Sequence, residues 1–165
     1  VTNSPPLVAF LAGADRPHNF EGSLGQPFQG EEEAMKNDPK SLAIEYLDAV
    51  GKKDLARVEE LLAPDLKFTG PAMARATAQE FISALKRLGA IHVRNDVKKA
   101  FADGNDVCVI YDFVTDTPAG ALPTIEWLHF EEGRISSINL YYDRVPWKSV
   151  MDEISRRAAQ ATIRA

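Results

Sequence analysis

Two acidic residues, Asp112 and Glu126, interrupt segments whose other alternate positions are apolar, and that placement points to proton chemistry. Alternation sets Cys108, Ile110, Asp112 and Val114 on one face of residues 107–115. It groups Glu126, Leu128 and Phe130 within residues 124–130, and Ile138, Leu140 and Tyr142 within residues 134–142. Taken as inward faces, these rows put two carboxyls into one apolar interior. Burial raises a carboxyl pKa, and neighbouring carboxyls resist joint ionisation, so one would stay protonated and donate a hydrogen bond while the other accepts a proton. Tyr46, in the apolar stripe of a helix, adds a phenol. The expected catalytic set is therefore Tyr46, Asp112 and Glu126, with Phe68, Ile110, Leu128, Leu140 and Tyr142 as the ligand-binding wall. The opposite reading stays open for each acid: its strand is turned the other way, or an arginine or a backbone amide consumes it.

Other reactive residue types point nowhere else. His18, His92 and His129 lack metal-ligand spacing and the single Cys108 forbids an intrachain disulfide, so neither a metal nor a cofactor is expected. His129 alternates with Ile125 and Trp127, away from Glu126, and reads as a packing or surface histidine. Cys108 reads as a small buried hydrophobe, and Tyr141, Tyr142 and Trp127 as aromatics of the core or of a dimer face.

The elements that must position these residues are marked by the sequence's own punctuation. The chain has 165 residues, 45% of them hydrophobic and 26% charged, with a net charge of −5, which suits one domain with a real core. An acidic chain has no general attraction to nucleic acid, and no apolar run nears the roughly 18 residues that span a bilayer. A cytoplasmic protein is expected. Residues 1–37, rich in Pro and Gly and without a sustained period, read as an irregular arm. Within it Gly30-Glu-Glu-Glu33 ahead of Met35 looks like a translated ribosome-binding sequence, which makes Met35 the expected native start.

Asp38-Pro39 opens a helix that should stop at Gly51, its inward stripe being Leu42, Ala43, Tyr46, Leu47 and Val50. A second helix over residues 54–63 should end at Pro64, and residues 66–70 alternate as a short strand broken by Gly70-Pro71. Thr77-Ala-Gln-Glu80 is a capping box for a third helix, with Phe81, Ile82, Leu85 and Leu88 inward and Gly89 at its left-handed end. The period then changes to two, and strands over 91–101, 107–115, 124–130 and 134–142 are joined by hairpin turns. Helices followed by an antiparallel meander give an α+β fold, a curved sheet covered on one face by three N-terminal helices. Residues 38–146 form this domain. Residues 147–165 add an amphipathic C-terminal helix with Trp147, Val150, Met151, Ile154 and Ala158 on one side.

This order of elements resembles the nuclear transport factor 2-like superfamily, which includes ketosteroid isomerases, limonene epoxide hydrolases and SnoaL-like polyketide cyclases. The strings Tyr46-Leu-Asp-Ala-Val-Gly-Lys-Lys-Asp54, Leu62-Ala-Pro-Asp-Leu-Lys-Phe68 and Phe130-Glu-Glu-Gly-Arg-Ile135, the last leading to Tyr141-Tyr142-Asp143, carry the likeness over residues 39–143. It implies a cone-shaped sheet around an apolar cavity, and a homodimer formed through the outer sheet face. Carried over to the ketosteroid isomerases, whose oxyanion hole of a tyrosine and a protonated acid is a standard worked case, Tyr46 matches the tyrosine and Glu126 the acid. The general-base position falls on Gly70, and Leu85 stands near a supporting tyrosine. Against the epoxide hydrolases only Asp112 matches, since Phe68, Gly70, Ile110 and Leu140 occupy the other positions. The implied function is binding of a small apolar or carbonyl-bearing molecule, with isomerase-, cyclase- or dehydratase-like acid/base chemistry. The alternative is a non-catalytic ligand carrier or dimerisation module of the same fold.

Overall fold

The structure, a computed structural model, describes residues 38–163. The irregular arm and the expected start at Met35 lie outside the described residues. Helix α1, Pro39–Lys52, is capped by Asp38, whose Oδ2 accepts from the Ser41 amide at 3.0 Å. It runs through Gly51 and ends on Lys53, which takes the left-handed conformation at φ 62°. Helix α2, Leu55–Leu61, is capped by Asp54 and is shorter than expected. The chain passes straight from it into strand β1, Leu62–Thr69, with Pro64 inside the strand. Proline is tolerated there because β1 is a sheet edge and its register slips between Leu62 and Lys67.

Helix α3, Ala78–Leu88, opens on the expected capping box, with the Thr77 amide donating to Glu80 Oε2 at 2.9 Å and the Glu80 amide to Thr77 Oγ1 at 3.3 Å. Gly89 closes it at φ −54°, so the expected left-handed cap is not formed. Strands β2 (His92–Asp103), β3 (Asp106–Thr115), β4 (Ala121–Glu131) and β5 (Arg134–Tyr142) follow as an antiparallel meander. The sheet order is β1-β5-β4-β3-β2, and β1 adds parallel to β5, which makes the sheet mixed. Between β4 and β5 the two turn residues, Glu132 and Gly133, both have positive φ (50° and 73°), which suits the twist of a tight hairpin. Register shifts in β2 and β5 pairings bend the sheet so that its concave face takes α1 and α3.

Strand parity needs one correction. On β3 the inward residues are Val107, Val109, Tyr111, Phe113 and Thr115, while Cys108, Ile110 and Asp112 lie half-exposed on the other face. The reason is a choice between two mostly apolar rows: one holds two aromatics and no charge, the other a carboxylate. Burying the first row gains more apolar area and avoids desolvating an acid.

Helix α4, Arg144–Ile163, begins three residues before the expected Trp147. Val150 is fully buried and Trp147 and Ile154 pack on the core, but Met151 is 51% exposed and Ala158 is exposed as well. The Trp147 ring meets Phe113 at 5.3 Å and Tyr142 at 4.8 Å between centroids. At the far end of α4, Arg157 Nη1 donates to the Ala90 carbonyl at 2.8 Å and to Asp116 Oδ2 at 2.9 Å. Among the described residues no helix is long and apolar enough to cross a membrane. Trp147→Ala is expected to lower the unfolding free energy by about 3 kcal/mol in urea denaturation. Met151→Ala is expected to change it by less than about 0.5 kcal/mol, because its side chain is half-exposed at the pocket wall and outside the packed core.

Candidate functional site

The inner sheet face, α3 and α4 enclose a pocket of about 1060 Å³. Its floor comes from alternating positions on the strands: Tyr111 and Phe113 on β3, Thr124 and Glu126 on β4, Leu140 and Tyr142 on β5. Tyr46 reaches it from α1, Phe68 from β1, and Phe81 and Leu85 from α3. The outer wall is α4, which presents Trp147, Met151, Ile154 and Ser155.

At the floor sits Glu126, 4% exposed. Val109 is its register partner, and Tyr111 lies two residues farther along β3, hence a diagonal neighbour on the same face. Tyr111 Oη donates to Glu126 Oε1 at 2.9 Å. Tyr46 borders the same carboxyl and lowers its pKa, yet Oε2 has no partner of good hydrogen-bond geometry among the described residues. Burial outweighs both phenols and pushes the Glu126 carboxyl up to about 7. Burial, and then the Glu126 charge, push the phenols of Tyr46 and Tyr111 well above the ordinary tyrosine range. Near neutrality the carboxyl is therefore poised between acid and carboxylate, flanked by two neutral phenols. In its acid form the proton belongs on Oε2, since Oε1 already accepts from Tyr111, and it has no acceptor of good hydrogen-bond geometry among the described residues.

Of the residues expected at the site, the structure brings together Tyr46, Glu126, Phe68, Leu140 and Tyr142 around this pocket. Leu128 is fully buried in the core and does not line it. Asp112 and Ile110 lie on the opposite face of the sheet, so the shared interior expected for the two carboxyls does not exist. Asp112 instead pairs with Lys98, Oδ2 to Nζ at 3.0 Å, with a quarter of its side chain exposed. Tyr111 is the residue that the sequence reading missed. Its signal was available in the uncharged, aromatic alternate row of β3. Gly70, at the position of the ketosteroid-isomerase base, also lines the pocket, and a Cβ built there would meet Phe68 Cζ at 3.0 Å and Leu140 Cβ at 3.4 Å. The Phe68 ring occupies the space an aspartate would need.

Phe113 is held from both sides. The His92 ring stacks on it at 4.1 Å with an interplanar angle of 9°, and Trp147 covers the other flank. His92 Nε2 lies 2.9 Å from Asn95 Oδ1, and Asn95 Nδ2 donates to the Leu47 carbonyl at 2.9 Å, which ties this stack to α1. Burial lowers the His92 pKa and keeps the ring neutral in the stack. The indole Nε1 of Trp147 is, with Glu126 Oε2, a buried polar atom without a partner among the described residues.

The raised Glu126 pKa has a definite effect on stability. The folded state holds the proton more tightly than the unfolded one, so the contribution is fully present below about pH 4.5 and is lost as pH rises through about 7. Glu126→Gln, which can still accept from Tyr111, removes that loss. The difference in unfolding free energy between variant and parent should grow in the variant's favour by about 3 kcal/mol between pH 4 and pH 8, read from urea midpoints at each pH.

The fold has counterparts among solved structures. One is an NTF2-like protein of unknown function from Cytophaga hutchinsonii, 24% identical, covering 67% of this chain and 94% of its own with a TM-score of 0.58. A candidate ketosteroid isomerase from Kribbella flavida, 19% identical, covers 64% of this chain and 77% of its own at a TM-score of 0.55. IdmH, a candidate polyketide cyclase from Streptomyces antibioticus, is 16% identical and covers 66% and 94% at a TM-score of 0.61. At these identities the likeness shows the fold. No curated protein matches the chain. The family model of the SnoaL-like domain matches residues 43–138, from the first turns of α1 to the middle of β5 and through Tyr46, Tyr111 and Glu126. With more than half its length matched and its sheet and helices in the same order, this chain belongs to the SnoaL-like domain family, within the nuclear transport factor 2-like fold.

Proposed function

We propose that the pocket binds a largely apolar small molecule through a carbonyl oxygen, and that Glu126 in its acid form hydrogen-bonds or protonates that oxygen. The observation that carries this reading is a buried carboxyl, pushed up to about 7, with one oxygen unpartnered among the described residues and set in a mostly apolar pocket large enough for a ring system. Tyr111 orients the carboxyl, and Tyr46 adds a second neutral phenol beside it. Such a group favours a carbonyl as it gains negative charge, which is the requirement of enolisation, aldol-type cyclisation and dehydration. In this reading the isomerase- and cyclase-like chemistry of the fold is supplied by one acid and two phenols.

A second reading, a non-catalytic carrier, is favoured by Gly70, because the site offers no carboxylate opposite Glu126 on the floor of the pocket. Hydrogen exchange distinguishes them. With α-tetralone as probe in deuterated water, the catalytic reading expects exchange next to the carbonyl that is faster with protein and lost in Glu126→Gln. Binding without faster exchange supports the carrier, and absence of binding overturns both. Carbon NMR of the Glu126 carboxyl should show a midpoint near 7, moved higher in Tyr111→Phe because that phenol's hydrogen bond lowers it.

The outer sheet face supports a homodimer. Phe101 on β2, Ile125 and Trp127 on β4, and Tyr141 on β5 are each more than a third exposed there. Trp127→Lys with Ile125→Lys should shift sedimentation from dimer to monomer while leaving the α-tetralone affinity within about twofold.

A further inference from the structure

The titratable groups of the pocket are sorted by depth. Glu126 and Tyr46 at the floor are nearly inaccessible, whereas Arg87, Arg144 and Lys148 line the same pocket at its exposed rim. Asp152 is the one other carboxylate in the lining. Arg144, Lys148 and Asp152 recur at four-residue steps and so share one face of α4, with both cations at the end nearest Tyr142. None of the three cations forms an ion pair among the described residues. The field of Arg144 reaches the Tyr142 phenol in the pocket wall.

Two features make this placement costly to the apo protein. Arg144 and Lys148 occupy the first two turns of α4, where the helix dipole disfavours cations, and the carboxylate at that end, Asp143, is engaged in capping the Val145 amide. The chain as a whole carries a charge of −5, so a cationic mouth does not follow from composition. A bound anion would relieve both.

We infer that the ligand is an anionic amphiphile: a carboxylate, sulfonate or similar anionic end rests among Arg87, Arg144 and Lys148, and an apolar body carries its carbonyl inward to Glu126. The inference rests on the pocket being the ligand site, as proposed above, and adds the charge and direction of what enters it. The mouth recognises the anion, and the floor works on the carbonyl.

A matched pair of fluorescent probes tests it. Anilinonaphthalene sulfonate and phenyl naphthylamine share one ring system and differ by the sulfonate. The sulfonate should bind about tenfold more tightly at low salt, with that preference shrinking as salt rises, and the neutral probe should displace it. The triple variant Arg87→Gln, Arg144→Gln, Lys148→Gln should lose the preference and keep its affinity for the neutral probe. If the triple variant does not fold by circular dichroism, Lys148→Gln alone should weaken the sulfonate probe by about twofold. Equal affinity of the two probes, a preference that survives the substitutions, or failure of the neutral probe to displace the sulfonate overturns the anionic mouth and leaves the pocket standing. Failure of the neutral probe to bind at all overturns both.

Discussion

The carboxyl of Glu126 has been taken out of water with one oxygen accepting from Tyr111 and the other left without a partner among the described residues, and the surrounding elements supply what that arrangement demands. A buried carboxylate without compensation would be far too costly, and the protein responds along two lines at once. It lets the proton stay on, and it places two phenols where they soften the penalty. Both responses need rigid geometry. The β3–β4 register fixes Tyr111 against Glu126, and α1 lays Tyr46 over the same point from the opposite layer.

The aromatic stack behind the pocket makes that geometry durable. His92, Phe113, Trp147 and Tyr142 form a run from the start of β2 across β3 to α4 and the end of β5, so the sheet, the first helix and the last helix are packed through one set of rings. Aromatic pairs add to what their buried area contributes, and a neutral His92 costs little inside the run. The outer helix is thus fastened near its start by Trp147 and near its end by Arg157, with the pocket between.

Much of this was legible in the sequence because local signals and tertiary demands agreed. Asp38-Pro39 and the Thr77–Glu80 box named the starts of two helices, and the change of period after Gly89 marked the meander. What failed did so where two local patterns competed. On β3 both alternate rows are mostly apolar, and choosing the row with Asp112 placed a charge where the fold puts Tyr111 and Phe113. The cost of desolvating an acid should have decided between them. Pro64 looked like a stop, but an edge strand with a register shift accommodates it. The start of α4 was missed by three residues because Arg144-Val-Pro146 lacks an apolar period, and its capping comes from Asp143, whose Oδ1 accepts from the Val145 amide. The pocket itself is written in residues far apart in the chain, and only the closed sheet-and-helix arrangement shows which of them meet.

The position of α4 along the chain bears on how such a protein changes over time. The acid and its phenols lie within residues 43–138, the segment that the family model matches, whereas the outer wall of the pocket lies on one uninterrupted helix beyond it. A substitution at its exposed wall positions, such as Met151 or Ser155, leaves the packing of Trp147 and Val150 in place, so it can be accepted without re-establishing the buried carboxyl. Selection for a new ligand therefore has a contiguous set of exposed wall positions to act on, apart from the reactive centre. Divergence in this lineage would leave its trace there first, as a conserved floor under a wall that differs from one descendant to the next.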